Sequence, residues 1–350
     1  MARLCIDLPP FSPDYSGVAS AFFSLDALTV LHDAAGCTGN YCGYDEPRWY
    51  GSEKAVMCSA LREIDAVMGD DEKLVRKVLQ AVEALKPGMI ALLSSPVPMV
   101  IGCDVKGIAH ELEVRTGLPS FGFDTTGTRY YDWGLSLAFR DLYRRFGRKI
   151  GKKSGVNILG ADYIDFPSGP GEIIEFLEEN GYKVNAVLPA RTLEDIERLS
   201  GAALSLVVSL SGLETAEALE REEGIPYILG VPVGDGERLL GRMKGIEPER
   251  VKEQPVLVVG ESVASWSIAD EIGGSSASLF SDDRRLGGVW LGSEKAVRDY
   301  LNLDKWEAVI ADPELLNLCP GKKLIPNPHY AISSKLNEGA PQLDLHKFSL

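Results

Sequence analysis

Long apolar runs are missing from this chain. No stretch of its 350 residues approaches the roughly 20 uninterrupted apolar residues that cross a bilayer. The first ten residues also lack the basic start and apolar stretch of a secretory leader. A cytoplasmic protein without a membrane partner is the expectation. Basic charge is scarce as well: 36 Lys and Arg stand against 51 Asp and Glu, for a formal charge of −15. A sequence-independent grip on phosphate backbones is therefore not expected, and nucleic acid drops out as a partner. Histidine occurs only at His32, His110, His329 and His346, and no cysteine pair has the C-x2-C spacing. Both shortages disfavour a zinc site. Six cysteines are few for this length, and in a reducing compartment they serve as thiols or metal ligands rather than as a disulfide frame.

What is present is a repeated alternation of short apolar runs and amphipathic stretches in a chain too long for one core of ordinary size. Residues 17–31 read as a helix and then a strand, running into His32-Asp33-Ala34-Ala35-Gly36-Cys37. A helix at 71–86 is closed by Pro87-Gly88, followed by a strand at 89–93, Ser94-Ser95-Pro96, a helix at about 101–115 and an apolar step at 118–123. The basic cluster from Arg144 to Lys153 reads as a helix end and a solvated linker. The pattern restarts at Val156, with strands at 156–159, 183–188, 204–209 and 226–229, and again after Pro255, with strands at 256–260 and 307–311. Alternation of this kind predicts an α/β fold of parallel sheets in three Rossmann-like units, at 1–152, 153–250 and 251–350. Ligands of such sheets sit beyond the carboxyl ends of the strands. Cys37, Ser94-Ser95-Pro96 and Asp124-Thr125-Thr126 all fall there.

Five of the six cysteines (Cys5, Cys37, Cys42, Cys58 and Cys103) lie in the first 103 residues, and Cys37 and Cys42 share a glycine-rich loop. Thiolates in such a loop can hold an iron–sulfur cluster, with glycine letting backbone N–H groups approach the sulfurs. The competing reading makes Cys5, Cys58 and Cys103 small buried hydrophobes. A nucleophilic cysteine paired with His32 is a further alternative. The stretch Asp45-Glu46-Pro47-Arg48-Trp49-Tyr50 either binds a substrate or partner or packs its aromatics on the domain. Ser168-Gly169-Pro170-Gly171 lacks the P-loop lysine and reads as a turn and helix cap. The acids from Glu63 to Glu72 read as the capped start of the 71–86 helix.

Several segments resemble one family in the same order. They are Leu31 to Cys37, similar to a His-Gly-Pro-x-Gly-Cys motif; Leu61 to Gly69; Lys86 to Ile90; Met99 to Val105; Val156 to Gly160; Gly181 to Asn185; and Gly224 to Ile228. The family is that of the nitrogenase component 1 proteins, with the dark protochlorophyllide and chlorophyllide reductases, the nickel-tetrapyrrole reductase and the cofactor-assembly scaffolds. The resemblance implies three Rossmann-like domains and an iron–sulfur cluster, of [4Fe-4S] type, at an interface between identical or related subunits. It also implies electrons from a separate P-loop ATPase carrying its own [4Fe-4S] cluster. Cys37 matches the family's ligand, with Cys58 and Cys42 next in line. The family's other first-domain ligands fall near Ser12 and Ser95-Pro96, where no cysteine stands. The cysteine and histidine that hold the nitrogenase catalytic cofactor have only Cys319 and His329 as counterparts, in unmatched contexts, so nitrogen fixation itself is not expected. The implied function is a cluster-bearing component of an ATP-dependent reductase acting on a small molecule. A non-catalytic cluster-assembly scaffold and a cluster-free small-molecule binding protein are the rivals.

Overall fold

The computed structural model of the chain describes residues 5–36, 47–49, 52–54, 56–279 and 286–329. Its first part runs α1 (Asp14–Phe22), β1 (Ala27–Leu31), β2 (Val56–Cys58), α2 (Glu63–Met68), α3 (Asp71–Leu85), β3 (Met89–Leu93), α4 (Pro96–Ile101), α5 (Val105–Thr116), β4 (Ser120–Phe123) and α6 (Tyr131–Phe146). The second runs β5 (Val156–Leu159), α7 (Gly171–Glu179), β6 (Val184–Leu188), α8 (Leu193–Glu197), β7 (Leu204–Val207), α9 (Leu213–Glu223), β8 (Tyr227–Leu229) and α10 (Glu237–Met243). The third runs β9 (Val256–Gly260), α11 (Ser262–Ile272), β10 (Ser275–Ser278), β11 (Val289–Trp290), α12 (Glu294–Leu301), β12 (Ala308–Ala311) and β13 (Lys323–Pro326). Each part makes its own sheet, in the orders β2-β1-β3-β4, β6-β5-β7-β8 and β11-β10-β9-β12-β13. All pairings within the sheets are parallel. The expected α/β fold with parallel sheets is what the chain adopts.

Strands β1, β3, β5, β9 and β12 are buried at every residue. That is why they are legible as uninterrupted apolar runs: helices cover both faces of a parallel sheet. Alternate residues divide between the two sides. Leu28, Val30, Ile90 and Leu92 pack with Leu74, Val75 and Val78 of α3 and with Ile108 and Leu112 of α5. Leu31, Ala91 and Leu93 join α1 and α6 in a cluster that also takes in Leu159, Val207, Leu257 and Val309, so one apolar core reaches all three sheets. Helices α1 and α6 meet backbone to backbone. A Cβ on Gly17 would lie 1.9 Å from the Tyr131 carbonyl oxygen, and one on Gly134 would lie 1.9 Å from that of Asp14. No side chain fits at either position, and the contact fixes where α6 begins.

Three sequence expectations need correction. The helix expected at 101–115 is two helices. Pro96 opens α4 at its first turn, Gly102 ends it with φ +74°, and the Asp104 carboxylate caps α5 by accepting the Gly107 N–H at 2.9 Å. Residues 63–68 form their own helix, α2, ended by left-handed Gly69, and only Asp70 caps α3. The basic run after α6 is also more than a solvated linker. Arg145 pairs with Glu113 at 2.8 Å, Arg148 with Glu197 at 2.6 Å, and the Lys153 Nζ donates to the Glu223 carbonyl at 2.6 Å. The run therefore fastens the first sheet's layer to helices of the second. The start of the chain is tied down as well: Glu294 Oε2 accepts the N–H groups of Ile6, Asp7 and Leu8 at 2.7, 2.9 and 3.0 Å.

Candidate functional site

The carboxyl ends of β1, β2, β3 and β4 form one rim. Leu31 pairs with Cys58 on one side and Leu93 on the other, so the segment leaving β1 toward Cys37 starts between Cys58 and Ser94-Ser95. Buried hydroxyls and backbone groups hold the rim. The Ser59 hydroxyl lies 2.9 Å from His32 Nδ1, accepts the Asp33 N–H at 3.0 Å and reaches the Asp33 carbonyl at 3.1 Å. Ser95 Oγ donates to the His32 carbonyl at 3.0 Å, and Thr125 Oγ1 to that of Ser94 at 2.5 Å. Burial, reinforced by the Lys77 charge, moves the His32 pKa below its ordinary value, so the ring is neutral at pH 7 despite the nearby Asp33.

Of the candidate ligands, Cys58 stands on this rim, half-buried; Cys37 and Cys42 lie outside the described residues. Cys58 Sγ accepts the Ala60 N–H at 3.2 Å and, as a thiol, donates to the Asp33 carbonyl oxygen at 3.3 Å. Ala60 takes the left-handed conformation, φ +51°, in the turn that makes this N–H···S contact. A sulfur backed by a backbone N–H suits a thiolate ligand. The other described thiols do not. Burial, with Asp71, Asp104 and Asp124 around it, pushes Cys103 up to about 11. Cys5 is raised by burial and by Glu294, and Cys319 is buried with its Sγ 3.4 Å from the Leu315 carbonyl. At the family's two other ligand positions the serines are buried: Ser95 is bonded as above, and Ser12 Oγ has no hydrogen-bond partner among the described residues. Cys58 is thus the candidate ligand that the described part of the rim carries, and no group of three or more His, Cys, Asp or Glu that could hold a metal ion occurs among the described residues.

A second polar assembly lies where the carboxyl ends of the other two sheets meet, and the sequence alone does not announce it. Asp162 and Asp165 follow β5, Ser209 and Ser211 follow β7, Glu261 follows β9, Asp312 follows β12 and His329 follows β13. Asp162 Oδ1 accepts the N–H groups of Ile164 and Asp165 at 2.9 and 3.1 Å, and its Oδ2 accepts from Ser211 at 3.2 Å. Glu261 takes the Leu210 and Ala264 N–H groups, both at 2.9 Å. Asp165 Oδ1 is met by the Tyr131 hydroxyl, brought in by α6, and by His329 Nε2 at 2.9 Å; the His329 N–H bonds Asp312 at 2.7 Å. Burial drives the carboxyls of Asp162 and Glu261 well above the usual range and Asp165 up to about 7, and it pulls His329 down to about 4. Asp162 and Glu261 are therefore held neutral, as is the His329 imidazole, and a cavity of about 110 Å³ is bounded by Asp165, Glu261 and His329. Cys319 does not line it. Arg48 and Trp49 resolve the reading of the aromatic stretch: Trp49 packs edge-on against Phe23 at 4.8 Å, and the Arg48 guanidinium lies over Phe23 and Tyr163 at 4.2 and 4.7 Å.

Among curated proteins the chain is 27% identical over 221 residues to the nitrogenase molybdenum-iron protein alpha chain of Clostridium pasteurianum, covering 60% of this chain and 41% of that one. It is 27% identical over 220 residues to one of the subunits of the light-independent protochlorophyllide reductase of Bradyrhizobium sp. (strain ORS 278), covering 57% and 41%. It is also 27% identical over 225 residues to the nitrogenase iron-molybdenum cofactor biosynthesis protein NifE of Methanosarcina barkeri, covering 58% and 47%. The chain thus spans less than half the length of these relatives. A solved structure titled "Nitrogenase Cp1 at pH 6.5" superposes with a TM-score of 0.70 over 95% of this chain and 91% of that one, at 14% identity, a likeness of fold. No helix among the described residues is long and apolar enough to cross a membrane. The profile of the nitrogenase component 1 type oxidoreductases matches residues 14–238, from α1 through the first two sheets into α10, and with well over half its length so matched the chain belongs to that family.

Proposed function

We propose that this chain is the cluster-bearing component of a nitrogenase-like, ATP-dependent reductase that acts on a small molecule. Its [4Fe-4S] cluster lies at a seam with a second, identical or related subunit, ligated by Cys37 with Cys58 and Cys42. A P-loop ATPase carrying its own [4Fe-4S] cluster delivers the electrons. The observation that carries the reading is the pairing of Leu31 with Cys58, which sets the one described rim thiol beside the strand leading to Cys37. When bound, such a cluster passes single electrons. The chain's own part is to hold sulfur. The Ala60 N–H supports Cys58 Sγ, Ser59 fixes the neutral His32 ring and the Asp33 backbone, and Ser95 ties β3 to the end of β1. Ile64, Val67 and Met68 of α2 and Val97, Val100 and Ile101 of α4 leave apolar surface exposed on helices that follow β2 and β3. Apolar surface on helices that follow strands of this rim supports a partner subunit covering it. The same reading divides the chain into units at 1–152, 153–250 and 251–350, supported by one sheet falling in each.

Anaerobic purification tests the proposal. Brown protein with about four iron atoms per dimer and an EPR signal on reduction is expected. Cys37→Ala and Cys58→Ala should each lose most of the iron, and full iron retention in both rejects the ligand assignment. A relative named for cofactor biosynthesis favours a second reading, a non-catalytic assembly scaffold. Turnover of a substrate with ATP and the partner ATPase selects the reductase. Cluster transfer to another protein without turnover selects the scaffold.

A further inference from the structure

A further cleft is separate from the rim and from the acid junction. It opens along the edge of the second sheet, has a volume of about 720 Å³, and is floored by residues 184–187 of β6. Strand β6 pairs only with β5 among the described residues, so its outer edge is turned to this space. The charge there is opposite to that of the whole chain. In a protein of formal charge −15, the charged residues lining the cleft among the described residues are Arg48, Arg191, Arg198 and one acid, Asp195. That acid is already engaged: Asp195 caps α8 through Thr192 and accepts from Arg198 at 2.7 Å. The Arg191 guanidinium has no acceptor among the described residues.

Two of the cations are held in place. Arg48 lies over the Phe23 and Tyr163 rings and donates to Ser20 Oγ at 2.9 Å, so its planar head is fixed before anything binds. Asn185 of β6 donates to the Arg198 carbonyl at 2.8 Å, anchoring the backbone from which that side chain projects. The loop 168–171 forms another wall, and the amino end of α7 opens from it without a side-chain cap, adding a positive dipole end to the same space. A pre-set guanidinium, two more cations and an aromatic face in a cleft of this size match the ordinary dimensions and lining of a small-molecule site.

We propose that this cleft binds a small organic polyanion, one carrying two or more carboxylate or phosphate groups, between Arg48 on one side and Arg191 and Arg198 on the other. The site uses none of the candidate cluster ligands and does not rest on the reductase reading. Isothermal titration calorimetry of the purified chain tests it with three probes: trimesate, an aromatic tricarboxylate; inorganic pyrophosphate; and the uncharged triamide of trimesate. Saturable binding of at least one anion is expected, weakened by added salt and by roughly tenfold or more in Arg191→Ala/Arg198→Ala, with no binding of the triamide. Preference for trimesate assigns carboxylate as the recognised group, and preference for pyrophosphate assigns phosphate. Arg48→Lys keeps the charge but not the planar stack and should weaken trimesate binding. Should the double variant melt below the parent, Arg191→Glu, changed at one exposed side chain, takes its place with the same expected loss. The proposal is overturned by absence of saturable binding of both anions, by equal affinity for the triamide, or by unchanged affinity in the folded arginine variants.

Discussion

The rim of the first sheet and the junction between the second and third sheets are both made at carboxyl ends of parallel strands, yet they treat polarity in opposite ways. At the rim the polar groups are hydroxyls, a thiol and backbone, with Ser59 and Ser95 satisfying the chain where it leaves β1. At the junction, acids from three strand ends are buried together, Asp162 and Asp165 after β5, Glu261 after β9 and Asp312 after β12, and burial raises the carboxyls of Asp162, Asp165 and Glu261. A carboxyl sealed from water without a cation takes its proton because the charged form would cost several kcal/mol. The rim is therefore built on hydroxyls and backbone around a neutral imidazole, with Asp33 and Lys77 beside it, and the junction is a clasp of acids with raised carboxyls between two sheets.

That contrast can be broken most directly at Asp162. Replacement by Ala strands the N–H groups of Ile164 and Asp165, and urea unfolding should show a loss of about 3 kcal/mol. Asp162→Asn, which mimics a neutral acid, should cost under about 1 kcal/mol. An equal, large loss in both would mean that the buried carboxyl is charged.

The pH dependence sharpens the comparison. Asp162 and Glu261 hold protons in the fold that the unfolded chain gives up near pH 4, so above that pH the native state binds more protons and stability falls as pH rises. Asp165 and His329 add almost no slope between about pH 4 and 6.5. The folded pair holds one proton on the acid, whose pKa is about 7, while the unfolded pair holds one on the imidazole. Thermal melts in His329→Asn should therefore decline more steeply with pH over that interval, by up to about 1.4 kcal/mol per pH unit. Glu294 acts in the other direction. Three backbone N–H groups lower its carboxyl to about 2, so its contribution is present above pH 4.5 and is lost as pH falls toward 2. Through these groups stability should decline from about pH 4.5 upward, and a melting temperature still rising between pH 6 and 8 would contradict the clasp.

At the rim the effects are smaller. Ser59→Ala removes one hydroxyl that serves His32 and Asp33 and should cost roughly 1–2 kcal/mol by urea unfolding. The least disruptive comparison is between thiols. Cys103, at about 11, should react with iodoacetamide at pH 8 roughly 100-fold more slowly than an ordinary thiol, as mass spectrometry of the alkylated peptides would show.

How much of this could be read in advance depended on how local each feature is. Strands β1, β3, β9 and β12 are legible because both faces are buried and the apolar run is continuous. Strand β10, Ser275–Ser278, carries three serines and one alanine, so no period announced it. Helix α6 was legible only at its basic end, because it is buried on most sides and Gly134 interrupts it to admit α1. Cys58 could be placed among the candidates, but its advantage over Cys103 could not: the difference lies in the Ala60 N–H that meets Cys58 and in the burial and carboxylates around Cys103. The acid junction left no trace, because Tyr131, Asp165 and His329 lie far apart along the chain.

The amino-acid order by itself determined the alternation of strand and helix, the parallel sheets and the family, since these rest on apolar periodicity and short motifs that each segment carries alone. Only the tertiary structure decided which polar side chains lose water together. It buried the acids of separate loops against one another, gathered three arginines at the edge of β6, and gave Cys58 rather than Cys103 the backbone N–H. Desolvation and charge act through space, and a linear string does not contain those distances.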